Sequence, residues 1–342
     1  MFALTAGLIA GSGANAVGQT AHFAGAQTTV GSGFNSPTDA VVDGSGNVYV
    51  TDYANNAVKE ILAVNGSIPA SPVIRTLGSG FIYPISVAVD GSGDVYVANS
   101  GDGTIKEMVA VNGSIPDAPS IVTLTQIAQP QAVAVDASGN LLVSGGCQGP
   151  STGGTPCGFV EELLAVGGIV PPNANVLILP ISPTAPGGVA VDKNGNVFVV
   201  DFGNNQVVEI LAVNGSVTAN SASRVAFSME NLGELAVDGN GDIFISQPTS
   251  NTVSEVLAVN GSIPNPLPSN LIRTIGMGFF IPTGLSLDTR GNLYVADFHN
   301  NRVVEISPSI VDFGSVNVGA NSAPIPVVLA SIAPERLVRR LC

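Results

Sequence analysis

The stretch AVVDGSGNVYV at residues 40–50 is met again as VAVDGSGDVYV (87–97), VAVDASGNLLV (133–143), VAVDKNGNVFV (189–199), LAVDGNGDIFI (235–245) and LSLDTRGNLYV (285–295). The aspartates of the six copies, Asp43, Asp90, Asp136, Asp192, Asp238 and Asp288, stand 47, 46, 56, 46 and 50 residues apart. Within each copy the apolar residues are β-branched or aromatic and come in short runs bounded by Gly, Asn, Asp or Pro, which punctuates strands and shows no helical period. A period of roughly 40–50 residues holds four such strands with their turns.

The four strands can be named. Strand a is VAV, and the DGSGN turn after it has an Asp able to bond the backbone two residues on and a Gly that takes positive φ. Strand b is NVYV. A second turn, as in DYANNAV (52–58), DFGNNQV (201–207) and DFHNNRV (297–303), leads to strand c, for example VKEIL or VVEIL. The linker AVNGSIP then forms a hairpin through its Asn-Gly pair, and strand d follows as VIRTL (73–77) or LIRTI (271–275). A small sheet with two apolar faces and open edges is unstable alone, so neighbouring sheets must stack around an axis. The expectation is an all-β, six-bladed β-propeller of four-stranded antiparallel blades. The segment AQTTVGSGF (26–34) reads as a strand d without a, b and c, whereas the last unit stops after strand c at VVEIS (303–307). Pairing Gln27 to Val30 with Val303 to Ile306 closes the ring from both ends of the chain.

The pattern Pro-x-x-Val-Ala-Val-Asp-x-x-Gly-Asn-Val-Tyr-Val-x-Asp-x-x-Asn-Asn-x-Val, clearest from Pro84 to Asp90 and from Pro282 to Val303, resembles the NHL repeat. The resemblance runs from about residue 26 to residue 307 and implies a six-bladed propeller of the bacterial secreted or surface type. Blade 3 departs from it by running into GGCQGPSTGGTPCG, and blade 5 has Ser246 in place of the turn Asp. Residues 308–329 resemble the first two strands of an immunoglobulin-like module, and about 20 residues cannot make a sandwich of about 100. The organisation expected is therefore an N-terminal segment (1–20), a propeller (21–307) and a truncated immunoglobulin-like start with an irregular tail (308–342).

Composition restricts the partners. The 342 residues include 41 Gly, 23 Pro and no Trp, and 45% are hydrophobic against 11% charged, so the chain folds. Eleven Lys and Arg against 25 Asp and Glu give a net charge of -14, which argues against nucleic acid, because that affinity comes largely from cations on phosphates. No run of about 18 apolar residues marks a membrane span. Cys147 and Cys157 are a disulfide candidate across the blade 3 insertion, the other reading being two unlinked thiols. Residues 1–16 read either as a cleaved signal or as the tail of a preceding module. A monomeric propeller within a longer extracytoplasmic chain is expected.

Antiparallel connectivity sends the d–a and b–c loops to one face and the a–b and c–d turns to the other. The first face collects the candidate binding residues Phe34, Phe81, Phe279, Phe280, Asn56, Asn205, His299 and Asn301. Asp52, Asp201 and Asp297 end strand b in three blades and are the metal candidates: either they converge as oxygen ligands for calcium, or each caps its own turn as an Asx turn. With only His22 and His299 in the chain, a multi-histidine zinc site is excluded. No Ser or Cys has a His and an Asp at an identifiable spacing. The leading expectation is a non-catalytic module that binds a protein or glycan through the loop face, without cofactor. The alternatives are a calcium-dependent hydrolase or lyase with oxygen ligands in the central channel, and a rigid spacer between modules.

Overall fold

A computed structural model describes residues 21–146 and 158–311. The candidate disulfide of Cys147 and Cys157, residues 1–20 and residues 312–342, which hold most of the expected immunoglobulin-like start, lie outside the described residues. One unit spans Phe23–Ser309, and a second comprises Met1–His22 and Ile310–Cys342. The first unit is a six-bladed propeller with four antiparallel strands in each blade. Among the described residues no helix is long and apolar enough to cross a membrane.

Blade 1 is made of Pro37–Val42, Val48–Asp52, Ala57–Ile61 and Ile74–Leu77, in that order from the axis outward. Blades 2 to 5 repeat the same up-and-down order. Blade 6 takes Pro282–Leu287, Leu293–Asp297 and Arg302–Val311 from the C-terminal side and Ala21–Ser32 from the N-terminal side. The expected closure is therefore present, with an outer strand that precedes blade 1 in sequence. Its inner neighbour runs on to Val311, four residues past the boundary expected at 307. Arg302 bonds Thr29 across that pair at 3.3 Å.

Strand b alternates between two neighbours. Tyr49 and Val95 share one apolar cluster between blades 1 and 2, and Tyr96 and Leu141 share the next between blades 2 and 3. The cluster between blades 6 and 1 joins Val30, Phe34 and Val50 to Tyr294 and Val303. Each blade thus lends one face to each neighbour, which is why six in-phase copies bury what one copy cannot.

A second layer is polar. Strand c carries a buried glutamate opposite strand d: Glu60 pairs Arg75, Glu209 pairs Arg224 and Glu255 pairs Arg273, with ion pairs of 2.6, 2.5 and 2.8 Å. In blades 2 and 3 the partner positions hold Val122 and Leu177, so Glu107 and Glu162 face no arginine there. Burial, followed by the charges of Asp94 and Asp90, pushes Glu107 up to about 7. Burial and the charge of Asp136 push Glu162 to about 7 as well.

A carboxyl group whose pKa is higher folded than unfolded binds more protons in the folded state between the two values, so stability falls as pH rises through that window. For Glu107 the window runs from about pH 4.5 to about 7. Glu107→Gln removes the ionised form and is expected to raise stability by about 1 kcal/mol at pH 8 while changing little at pH 4.5. Urea unfolding at the two pH values checks this, and an equal effect at both would contradict it.

Candidate functional site

The three aspartates expected as metal candidates do not converge. Each is buried and bonds a different loop. Asp52 Oδ1 accepts the Asn35 N–H at 2.6 Å, Asp201 Oδ1 accepts those of Thr184 and Ala185 at 3.0 and 3.1 Å, and Asp297 Oδ1 accepts that of Phe280 at 2.7 Å. The other oxygens are taken by Asn55, Asn204 and Asn300 at 2.8, 2.6 and 2.9 Å. Lys59 and Arg302 further neutralise Asp52 and Asp297. None of the three bonds a backbone N–H of its own b–c turn, so the Asx turn expected there is replaced by a tie from the end of strand b to the preceding d–a loop, and a shared metal site at these positions is corrected as well. Among the described residues no group of three or more His, Cys, Asp or Glu could hold a metal.

The second asparagine of each pair is left-handed, with φ of 53° at Asn56, 49° at Asn205 and 54° at Asn301. Asn56 Oδ1 accepts the Tyr83 N–H of blade 2 at 2.8 Å, and Asn301 Oδ1 accepts the Ser36 N–H of blade 1 at 2.8 Å. These two side chains tie blades together and are not presented to a ligand. Phe34, Phe81 and Phe279, expected on the loop face, are instead 4–5% exposed and plug the interblade cores, because the GSGF loop turns its aromatic inward. Phe280 remains half exposed and packs on His299 with ring centroids 4.7 Å apart, and Phe298 meets that imidazole edge-on at 4.8 Å.

The structure brings together residues the sequence reading passed over. The six innermost strands line a central channel of about 290 Å3. After the proline that opens the strand, the register shifts in five blades, between Pro37 and Asp39, Pro84 and Ser86, Pro130 and Ala132, Pro186 and Val189, and Pro282 and Leu285. Such a bulge re-aims a side chain. The aligned position, third in five of these strands and immediately before Leu235–Val237 in blade 5, is Asp39, Ser86, Ala132, Gly188, Glu234 and Gly284 around the ring. Asp39 and Glu234 line the channel with no Lys, Arg or His among its lining residues.

Asp39 is held from two sides. Its Oδ2 accepts the Ser86 hydroxyl at 2.8 Å and the Val87 N–H at 3.0 Å, and its Oδ1 accepts the Ala40 N–H at 2.8 Å. Burial outweighs these three donors and raises its pKa to about 6. Burial, with the charge of Asp39 added, raises Glu234 to about 8. Burial is the larger cause at both, and at Glu234 the charge of Asp39 adds to it, a perturbation of the kind that collects at functional sites.

Glycine makes the room. Gly188 and Gly284 have no left-handed backbone, so space is their reason. A Cβ on Gly284 would meet Asp39 Oδ1 and stand 2.6 Å from the Asp39 Cα, and one on Gly188 would meet Glu234 Oε2 and stand 3.1 Å from the Glu234 Cα. The signal was legible in principle: in a strand that otherwise repeats Val-Ala-Val, the two positions after the proline vary from blade to blade, and a ligand without six-fold symmetry needs such positions.

The NHL repeat model matches residues 34–61, 184–210 and 281–306, the three blades that carry the Asp-aromatic-x-Asn-Asn turn, so the chain carries NHL repeats. No curated protein matches the sequence. Among solved structures, a gluconolactonase from Xanthomonas campestris shares 13% identity at a TM-score of 0.61, covering 83% of this chain and 89% of its own. The calcium-binding protein regucalcin from Agrobacterium tumefaciens shares 11% at 0.62, covering 84% and 95%. A luciferin-regenerating enzyme shares 14% at 0.61, covering 86% and 99%. At these identities the likeness establishes the fold. Enzymes and a calcium-binding protein as fold neighbours, together with a carboxylate pair in the channel, overturn the expectation of a non-catalytic protein- or glycan-binding module.

Gly284→Ala forces the Asp39 backbone to move and is expected to cost about 1–3 kcal/mol. Gly188→Ala meets mainly the movable end of Glu234 and should cost less. Thermal unfolding ranks the two, and the reverse order would refute this packing.

Proposed function

We propose that this chain is a hydrolase or lyase working in its central channel, with Asp39 and Glu234 as oxygen ligands of a calcium ion. One observation carries the reading: in six innermost strands built on one apolar pattern, two acidic side chains share the channel and no cationic side chain lines it.

The residues fit the ion. Calcium takes six to eight oxygens and no nitrogen or sulfur is needed. Two carboxylates supply part of that set, and water and substrate oxygens would complete it. The surplus of negative charge that raises Glu234 is what a hard cation relieves, since the ligand must lose its proton when the cation binds. Bound calcium would polarise a substrate oxygen as a Lewis acid.

The chain's own groups do the rest. Asp39, fixed by three donors, offers a carboxylate of set orientation. Glu234 holds its proton up to about pH 8 and can exchange it as charge in the channel changes. With both carboxylates engaged by calcium, the channel offers no cationic side chain to an anionic substrate and is otherwise lined by apolar residues and two serines, which favours a neutral ester or lactone. Two of the fold neighbours are described as gluconolactonases or putative gluconolactonases, so a lactone is the first substrate class to assay.

The test is hydrolysis of glucono-δ-lactone, γ-butyrolactone and 4-nitrophenyl acetate with calcium and after chelation by EDTA. Turnover should need calcium, and Asp39→Asn and Glu234→Gln should each lower kcat/KM by about 100-fold or more with unchanged circular dichroism. Turnover indifferent to EDTA and to both substitutions, or none on any substrate, would sink the proposal.

A further inference from the structure

Resting on the channel as a cation site, we propose that Ser86 is its positioning residue, the side chain that aims Asp39 at the cation and at Glu234. Ser86 stands at the third position of blade 2, the counterpart of Asp39 in blade 1 and Glu234 in blade 5. It is buried.

A serine hydroxyl has one proton and two lone pairs. The Val133 N–H of blade 3 donates to the Ser86 Oγ at 3.2 Å, and the Ser86 proton goes to Asp39 Oδ2 at 2.8 Å. The direction of the chain is thereby set: a backbone amide of blade 3 orients a hydroxyl of blade 2, which orients a carboxylate of blade 1. With the Val87 N–H on the same oxygen, Oδ2 is turned toward blade 2 and has two donors. Oδ1 is turned the other way, into the space that Gly284 of blade 6 leaves open, and accepts one donor from Ala40. Blade 6 lies between blades 1 and 5, so the less occupied oxygen faces the side of the ring on which Glu234 stands.

A purely structural Ser86 would only staple three blades. A positioning Ser86 supplies one of the three donors that set the angle of the Asp39 carboxylate, and without it Oδ2 keeps the Val87 N–H alone. Supporting groups of this kind typically change metal affinity by about 10–100-fold when removed.

Calcium binding to the full chain is measured by calorimetry in the wild type, Ser86→Ala, Ser86→Cys, Ser86→Thr and Asp39→Asn. The dissociation constant should rise about tenfold in Ser86→Ala. Cysteine keeps the volume with a weak donor, so Ser86→Cys should follow alanine and serves if the alanine variant does not fold. Ser86→Thr restores the hydroxyl and should bind within about twofold of wild type. Calcium binding in Ser86→Ala and Ser86→Cys within twofold of wild type, even with a lowered melting temperature, would reduce Ser86 to a staple and overturn the inference. A threonine variant as weak as alanine would do the same. If the wild type takes up no calcium, or Asp39→Asn binds it unchanged, the channel reading itself falls and takes this inference with it. If Asp39→Asn abolishes binding and Ser86→Ala does not, this inference falls alone.

Discussion

A four-stranded blade of this chain has apolar residues on both faces, so no blade can be stable until it has a neighbour on each side. A row of such blades always leaves two raw ends. Only a ring removes both, and the ring here is closed by a strand from each end of the unit, Ala21–Ser32 beside Arg302–Val311. The closing seam is reinforced from both sides of the sheet. The Ser36 N–H bonds Asn301, and Arg290 bonds Ser67 at 3.1 Å and the Gly66 carbonyl. The Val30, Phe34 and Tyr294 cluster fills the space between.

Closure by repetition has a chemical consequence. Six near-identical units produce a nearly six-fold scaffold, and a symmetric scaffold has no direction in which to hold a substrate. Function must lie where the repeat is broken. The innermost strands keep apolar residues wherever they pack against the next blade and vary near their start, where in five blades a bulge after the opening proline frees the side chain from the ladder. At that one level the ring places two carboxylates, one hydroxyl, one methyl and two glycines. The glycines are part of the site, because the volume they leave is occupied by the carboxylates of the following blades.

Turn chemistry and site chemistry use the same residue types, which is why they were easily confused. Asp52, Asp201 and Asp297 satisfy loop amides and accept a hydrogen bond from their own asparagines, and two of them are neutralised by a basic side chain. Asp39 also accepts backbone amides, yet no cation faces it, and Glu234 stands near enough to feel its charge. The same distinction separates Glu60, which has Arg75, from Glu107, which has the Tyr96 hydroxyl and the charges of two aspartates but no cation. Buried charge without a partner is costly. In the blade 2 sheet that cost is met by holding a proton, and in the channel it leaves room for a ligand.

The sequence by itself determined the number of blades, the order of strands within each, the Asx and Asn-Gly turns and the closure of the ring, because these follow from local periodicity and from turn residues whose backbone preferences act within a few positions. It did not locate the site. Asp39 and Glu234 are 195 residues apart and occupy positions that a repeat consensus leaves blank. Phe34, Phe81 and Phe279 read as exposed loop residues until the neighbouring blade is in place to receive them. What a side chain of this protein faces depends on the adjacent copy of the repeat and on the bulge that aims it, and those are properties of the assembled ring: solvent exposure, carboxylate proximity and the raised pKa values arise only when all six innermost strands surround one axis.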